Sequence, residues 1–350
     1  MTKHFSIHKI KNERGLASIM VTTVLIMVIG LIIVGFSQTT RRNQRETLDR
    51  QLSTQAFYAA ETGVNAAAAI AAERFATNGN VPRKDSCNDT VGGIYPALEL
   101  DAALGIEVTC MLVDTGLPSM YYSNVDEDDG IVAAVISADG TPINRITMVW
   151  RPTTIPAGPA SSGCSAPINQ TIFTPKNIRT CAFGVLRTDI APRSTGSDSR
   201  TAMSFFANPV LPFGGGSITY DSAGGGGGLV TGSCSLTGND PRCQITINGL
   251  NAPDYYLRVR SLYKDSTLTI TARAADSSVI NLDGQALIDV TGKAQDVLRR
   301  IQVRVPLMGD AGDVPNFAVE STDSICKRFT IAPGNPAHYD PTDATLCPLP

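Results

Sequence analysis

The sequence predicts an α+β protein. A long N-terminal transmembrane and amphipathic α-helix is expected to pack on an antiparallel sheet, and a disulfide-bearing β-sandwich module is expected to follow. Three observations predict this. A charge-free stretch from Leu16 to Thr40 runs without a break into a polar helical pattern. Short alternating apolar runs, separated by turn residues, begin at about Ile106. All eight cysteines lie beyond residue 80. The expected divisions are residues 1–15, a leader; 16–78, the helix (transmembrane 16–36, amphipathic 37–78); 79–151, an antiparallel sheet; 152–167, a linker; 168–320, the β-sandwich; and 321–350, a C-terminal disulfide loop.

Leu16 to Phe36 comes first. Crossing roughly 30 Å of hydrocarbon takes about 20 apolar residues in a helix, and this segment has that length. The membrane-facing residues are Leu16, Ala17, Ile19, Met20, Val21, Val24, Leu25, Ile26, Met27, Val28, Ile29, Gly30, Leu31, Ile32, Ile33, Val34 and Phe36. Ser18, Thr22 and Thr23 have hydroxyls able to bond back to the helix. A cleaved secretory signal has a shorter apolar core and a small-residue cleavage site; Ser37 to Arg42 is no such site. Lys3, Lys9, Lys11 and Arg14 precede the segment, and Arg41, Arg42, Arg45 and Arg50 follow it. Charge therefore leaves orientation open. The even set of cysteines suits an oxidising exterior, which places the N-terminus inside and the bulk of the chain outside.

The helix is expected to continue to about Asn78. From Ser37 to about Asn78 there is no proline, and the only glycine is Gly63. Leu48, Leu52, Ala56, Ala59, Gly63, Ala67 and Ile70 recur at spacings of three and four, the period of one helix face. Ala66 to Ala72 has high helix propensity, and Asn78-Gly79 is a stop signal. Two readings stand here. The helix is a stalk that spaces a head from the membrane, or its first half packs in a filament and its second half on its own sheet.

The stretch from Thr40 to Ala71 resembles the N-terminal domain of PilX-type minor pilins. An apolar helix is followed by a Gln/Arg-rich segment and an AAE.G element, here Ala59, Ala60, Glu61 and Gly63. The resemblance covers about residues 9–75. It implies a pilin-like fold and a prepilin leader cut by a prepilin peptidase between Gly15 and Leu16. It also implies a single-pass protein of the bacterial cytoplasmic membrane that enters a pilus. The partners implied are other pilins through the helix and the inner-membrane assembly platform. Two residues depart from the major-pilin pattern: the first mature residue would be Leu16 rather than phenylalanine, and the fifth Met20 rather than glutamate. A minor pilin, a tip component or a K-type pseudopilin of a type II secretion system accommodates both.

Among the β runs, Ile106 to Val113, Met120 to Val125, Ile131 to Ser137 and Arg145 to Arg151 are expected as a meander on the helix. Asp128-Asp129-Gly130 and Asp139-Gly140 are hairpin signals. Trp150 is expected in the core or on a hairpin surface. Pro152 to Pro167 reads as a linker. Nine further runs, from Arg179 to Leu186 through Leu298 to Val305, suffice for a two-sheet sandwich. Arg299-Arg300 reads as a solvated face.

Clustering of Cys87, Cys110, Cys164, Cys181, Cys234, Cys243, Cys326 and Cys347 points to sequential pairs, 87–110, 164–181, 234–243 and 326–347. Other pairings remain open on sequence alone. There is no CxxC, and His338 is the only histidine outside the leader, which argues against zinc.

The exported region has no GxSxG, HExxH or Cys-His setting, so the usual bases and nucleophiles of hydrolases are missing, and no enzyme is expected. The five glycines Gly224–Gly228 are not followed by a Gly-Lys pair, which excludes a P-loop. A formal charge of −3 shows no basic excess for nucleic acid. Asn124, Asp126 and Asp128 alternate as at the start of a calcium loop, but the glycine is one place late and the closing glutamate is missing. A solvated acidic turn competes with calcium there. Tyr121-Tyr122 and Tyr255-Tyr256 each put one ring on either strand face, for packing or for stacking on a glycan or other cell-surface ligand. The function expected is a minor pilin serving fibre assembly, adhesion or twitching motility. The competing expectations are the secretion pseudopilin and a membrane-anchored surface adhesin that never enters a filament.

Overall fold

In the computed structural model, the described residues are 13–79, 81–89, 91–126, 130–153, 183–193, 203–210, 216–221, 228–235 and 240–307; at 13–17, 78, 92 and 210 only the backbone is described. The linker, the C-terminal loop, Asp128, Cys164, Cys181, Cys326 and Cys347 fall outside these residues.

The first element is α1 (Glu13–Asn78), an unbroken helix of 66 residues. Gly79 ends it in the left-handed conformation (φ 65°), its N–H donating to the Phe75 carbonyl at 2.8 Å. A 3₁₀ turn at Val91–Gly93 precedes fifteen strands among the described residues. The first five are β1 (Leu98–Asp101), β2 (Ile106–Asp114), β3 (Met120–Val125), β4 (Gly130–Ile136) and β5 (Ile143–Pro152). Then come β6 (Val185–Pro192), β7 (Met203–Val210), β8 (Ser217–Thr219), β9 (Gly228–Ser235) and β10 (Arg242–Ala252). The last are β11 (Asp254–Leu262), β12 (Ser266–Arg273), β13 (Val279–Ile280), β14 (Gln285–Ala294) and β15 (Val297–Pro306).

These elements form two compact units, and among the described residues the chain crosses between them twice. The first unit comprises Met1–Leu117 and Asn281–Leu307. In it α1 packs on a four-stranded sheet of order β1-β2-β14-β15, antiparallel throughout. The second unit holds an 11-stranded sheet of order β13-β12-β5-β10-β9-β7-β6-β11-β4, with β3 on β12 and β8 on β10. Among the described strands, only β7/β9 and β8/β10 pair in parallel.

The expected division at residue 152 therefore does not follow the chain's contacts. Of the four-run meander placed on the helix, only β2 is there; β3, β4 and β5 belong to the large sheet. The helix instead recruits β14 and β15 from the far end of the described chain. The reason is shape: Gly292, Val290, Ile288 and Ala286 form the buried face of β14, and two of these four residues are small enough for a helix of alanines to approach closely.

The expected two-sheet sandwich is a single continuous ladder that curls into a barrel-like form. Residues 263–265 alone join β11 to β12, yet six strand steps separate these in the sheet order. Flat, that span would be about 29 Å at about 4.8 Å per step, too far for so short a turn. Trp150 lies inside the curl, fully buried, and its indole N–H donates to the Gly184 carbonyl at 2.9 Å. A side chain on Gly232 would meet Trp150 Cη2 at 2.5 Å, so that glycine makes room for the ring. Of the run Arg179 to Leu186, Val185 and Leu186 open β6 and residues 179–182 lie outside the described residues, while β1 and β9 had no strong alternating signal.

Candidate functional site

The first half of α1 is apolar and bare. Residues from Ile19 to Phe36 are exposed, and an 18-residue window of this helix has the length and composition to cross a membrane with none of it buried in the protein. Thr22 donates to the carbonyls of Ser18 and Ile19 (both 3.0 Å), and Thr23 to Ile19 (2.8 Å). These local bonds remove the cost of placing hydroxyls in hydrocarbon. Met20 is exposed among the apolar side chains. Gly15 and Leu16 lie within the helical backbone.

The second half is seated. Ala56, Ala59, Ala60, Gly63, Val64, Ala67, Ala71 and Phe75 are buried against the first unit's sheet. Leu48, expected on this stripe, is exposed, and Leu52 and Ile70 are half-buried, so the seat begins about one turn later than the pattern indicated. Within the AAE.G element, Ala59, Ala60 and Gly63 face the sheet and Glu61 faces solvent. The contact is backbone to backbone. A Cβ on Gly292 would overlap the Ala56 carbonyl oxygen and the Ala60 amide, and would stand 3.0 Å from the Ala59 carbonyl carbon. A Cβ on Gly63 would stand 2.7 Å from Val290 Cγ1. Sequence reasoning saw the helix half of this seat and missed Gly292; the signal was a glycine inside an alternating strand, which marks close backbone approach.

Polar groups fix the seat's edges. Arg299 Nε donates to Ser53 Oγ at 2.8 Å, from sheet to helix. Arg300, on the other face of β15, forks onto the carboxylate of Asp289, which also accepts from Gln302 at 3.3 Å. The two arginines read as one solvated face thus serve opposite faces. Gln295, at φ 57° in the β14–β15 turn, donates to Leu104 O (2.6 Å) through its amide and to Gly105 O (3.1 Å) through its backbone N–H. Burial pushes the Asp283 carboxyl above its ordinary range, partly offset by the Gly116 N–H.

The other sequence candidates divide. Cys87 is joined to Cys110 and Cys234 to Cys243, two of the four sequential pairs. Asn124 donates its amide to Asp126, and among the described residues no group of three His, Cys, Asp or Glu side chains converges as a metal site. Trp150 is core. Tyr255 is buried, its hydroxyl accepting from the backbone N–H of Asn251 and Ala252 (both 2.9 Å), while Tyr256 accepts from Arg193 Nε at 3.3 Å. Tyr121 is exposed and Tyr122 half-buried. Comparison with family models, curated proteins and solved structures gives no match. The geometry thus defines an α+β protein with one bare apolar helix half and one seated half.

Proposed function

We propose that this chain is a minor pilin-type subunit, anchored in a membrane through residues 16–36 with its two β units outside and then drawn into a filament through the same helix. One observation carries the reading. A single uninterrupted helix is bare and apolar over Ile19–Phe36 and seated through small residues on its own sheet further along. A spacer stalk needs no such seat, because a stalk presents its polar face to water on all sides. A helix with one half fixed to its own head keeps the other half as a fixed projecting peg. Other subunits' helices cover that apolar surface in a filament, as lipid does before assembly. A pilin-like arrangement of helix and antiparallel sheet in the first unit fits the same reading.

The test is the mature N-terminus, measured by mass spectrometry after expression with and without a prepilin peptidase. A start at Leu16 that depends on the peptidase, and is blocked by Gly15→Val, is the expected result. An uncut N-terminus in both hosts leaves the permanently anchored surface protein and overturns the proposal. A secretion pseudopilin would be cut in the same way; loss of secreted enzymes rather than of filaments on gene deletion separates it.

A further inference from the structure

The outer face of the large sheet carries a groove with its own chemistry. On β5, Arg145, Thr147 and Val149 alternate with the buried Ile146, Met148 and Trp150. Thr271 and Arg273 of β12 and Gln244, Thr246 and Asn248 of β10 continue this face on either side, and together the eight line a shallow groove of about 480 Å³. The register sets them in rows. Thr271, Thr147 and Thr246 stand opposite one another across three strands, and Arg273, Arg145 and Asn248 form a second row.

The charges in this groove are one-sided. Arg273 and Arg145 are direct cross-strand partners, an arrangement of like charges that costs stability. No carboxylate lines the groove. Arg145 Nε donates to Asn248 Oδ1 (3.1 Å) and Arg273 Nη1 to the Ser277 carbonyl (2.6 Å), so the arginines are held by neutral acceptors. Further along the same face, Arg151 and Arg242 flank Asp240 at 2.7 Å and 3.3 Å. Of these four arginines, Arg151 and Arg242 share one aspartate, while Arg145 and Arg273 rest on neutral acceptors. Arg145 and Arg151 are six residues apart on one strand, roughly 20 Å at about 3.4 Å per residue.

We propose that this groove binds a carboxylate-bearing oligosaccharide. The paired guanidinium groups match a carboxylate with forked, charge-assisted bonds. The threonine row and the amides of Gln244 and Asn248 both donate and accept, which suits sugar hydroxyls. No aromatic side chain lines the groove. Bases would therefore find no platform to stack on, which favours an acidic glycan over single-stranded nucleic acid.

The experiment uses the full chain in detergent micelles, unassembled, so its outcome does not depend on entry into a pilus. Hexagalacturonate, neutral maltohexaose and an oligothymidylate are titrated calorimetrically. Hexagalacturonate is expected to bind, more weakly as salt rises, and maltohexaose is not. The double variant Arg145→Gln, Arg273→Gln is expected to weaken binding about tenfold or more, the scale of one lost charge-assisted hydrogen bond. Its thermal unfolding should be unchanged or raised, since two like charges are removed. Absence of hexagalacturonate binding at millimolar concentration overturns the proposal, as does equal binding by the double variant. Oligothymidylate binding as tight as that of hexagalacturonate would reassign the groove to nucleic acid and overturn it too.

Discussion

Replacing Gly292 by alanine tests whether the helix seat is as close as its backbone contacts require. The added methyl would meet the Ala56 carbonyl oxygen, the Ala60 amide and the Ala59 carbonyl carbon, all backbone atoms of α1. No side chain can swing aside, so the helix itself must move off β14. Overpacking of this kind costs about 1–3 kcal/mol. Replacing a strand glycine by alanine returns about 0.4–1 kcal/mol through the unfolded chain; with only rigid backbone atoms to meet, the cost lies toward the top of the overpacking range, which leaves a net loss of about 1–2 kcal/mol. A unit of this size would lose roughly 3–6 °C in Tm. The assay is thermal unfolding in micelles, followed by circular dichroism at the helix band, with Trp150 fluorescence as an internal reference for the second unit. Gly30→Ala is the control: it too lies in α1, and nothing stands within 4 Å of its added methyl. If Gly292→Ala melts with the wild type, or if Gly30→Ala falls as far, the close-approach argument is refuted.

Two further outcomes follow from buried polar groups. Burial raises the Asp283 carboxyl above 3.8, so the folded state holds its proton longer than the unfolded chain does. The fold is then weakened as pH rises through that window and is not penalised below it. Asp283→Asn is expected to stabilise the protein at neutral pH, with the gain vanishing as pH falls toward 3.8; equal gains at both ends of a urea-midpoint series against pH would contradict this. Trp150→Phe leaves the Gly184 carbonyl without its indole donor. An expected loss of about 1–3 kcal/mol would appear as a lower urea midpoint by circular dichroism, and an unchanged midpoint would show that the bond contributes nothing.

The helix was legible in the sequence because its signals are local. Composition marks its bare half, three-four spacing its seated half, and Asn78-Gly79 its end. Most strands were legible for the same reason, as in Met120–Val125, where alternation and flanking turns agree. Which strand pairs with which was not. Val108 and Val290 carry the same kind of side chain as Met148 and Ile245, and alternation says that each has a buried face without saying against what. What assigns β14 to the helix is the fit of Gly292 to the Ala56–Ala60 backbone, a match between positions more than two hundred residues apart in sequence. The groove arginines were scattered in sequence for the same reason: Arg145 and Arg273 become neighbours only through the register of β5 and β12.

The return of β14 to β2 has a consequence for how the protein is made and altered. Leu117 and Leu282 exchange backbone bonds (3.0 Å and 2.7 Å), so the chain leaves the first unit and re-enters it at adjoining points. The described residues between Pro118 and Ile280 are, in effect, a cassette spliced into a hairpin. During synthesis the helix emerges first, and its partner strand β14 follows roughly 210 residues later, a wait of about 10–40 s at ribosomal speed. The part of the α1 seat that β14 and β15 cover stays open for that interval. The same splice means that the cassette can be exchanged for another module whose ends lie close together, leaving the helix, its seat and the bare apolar segment untouched.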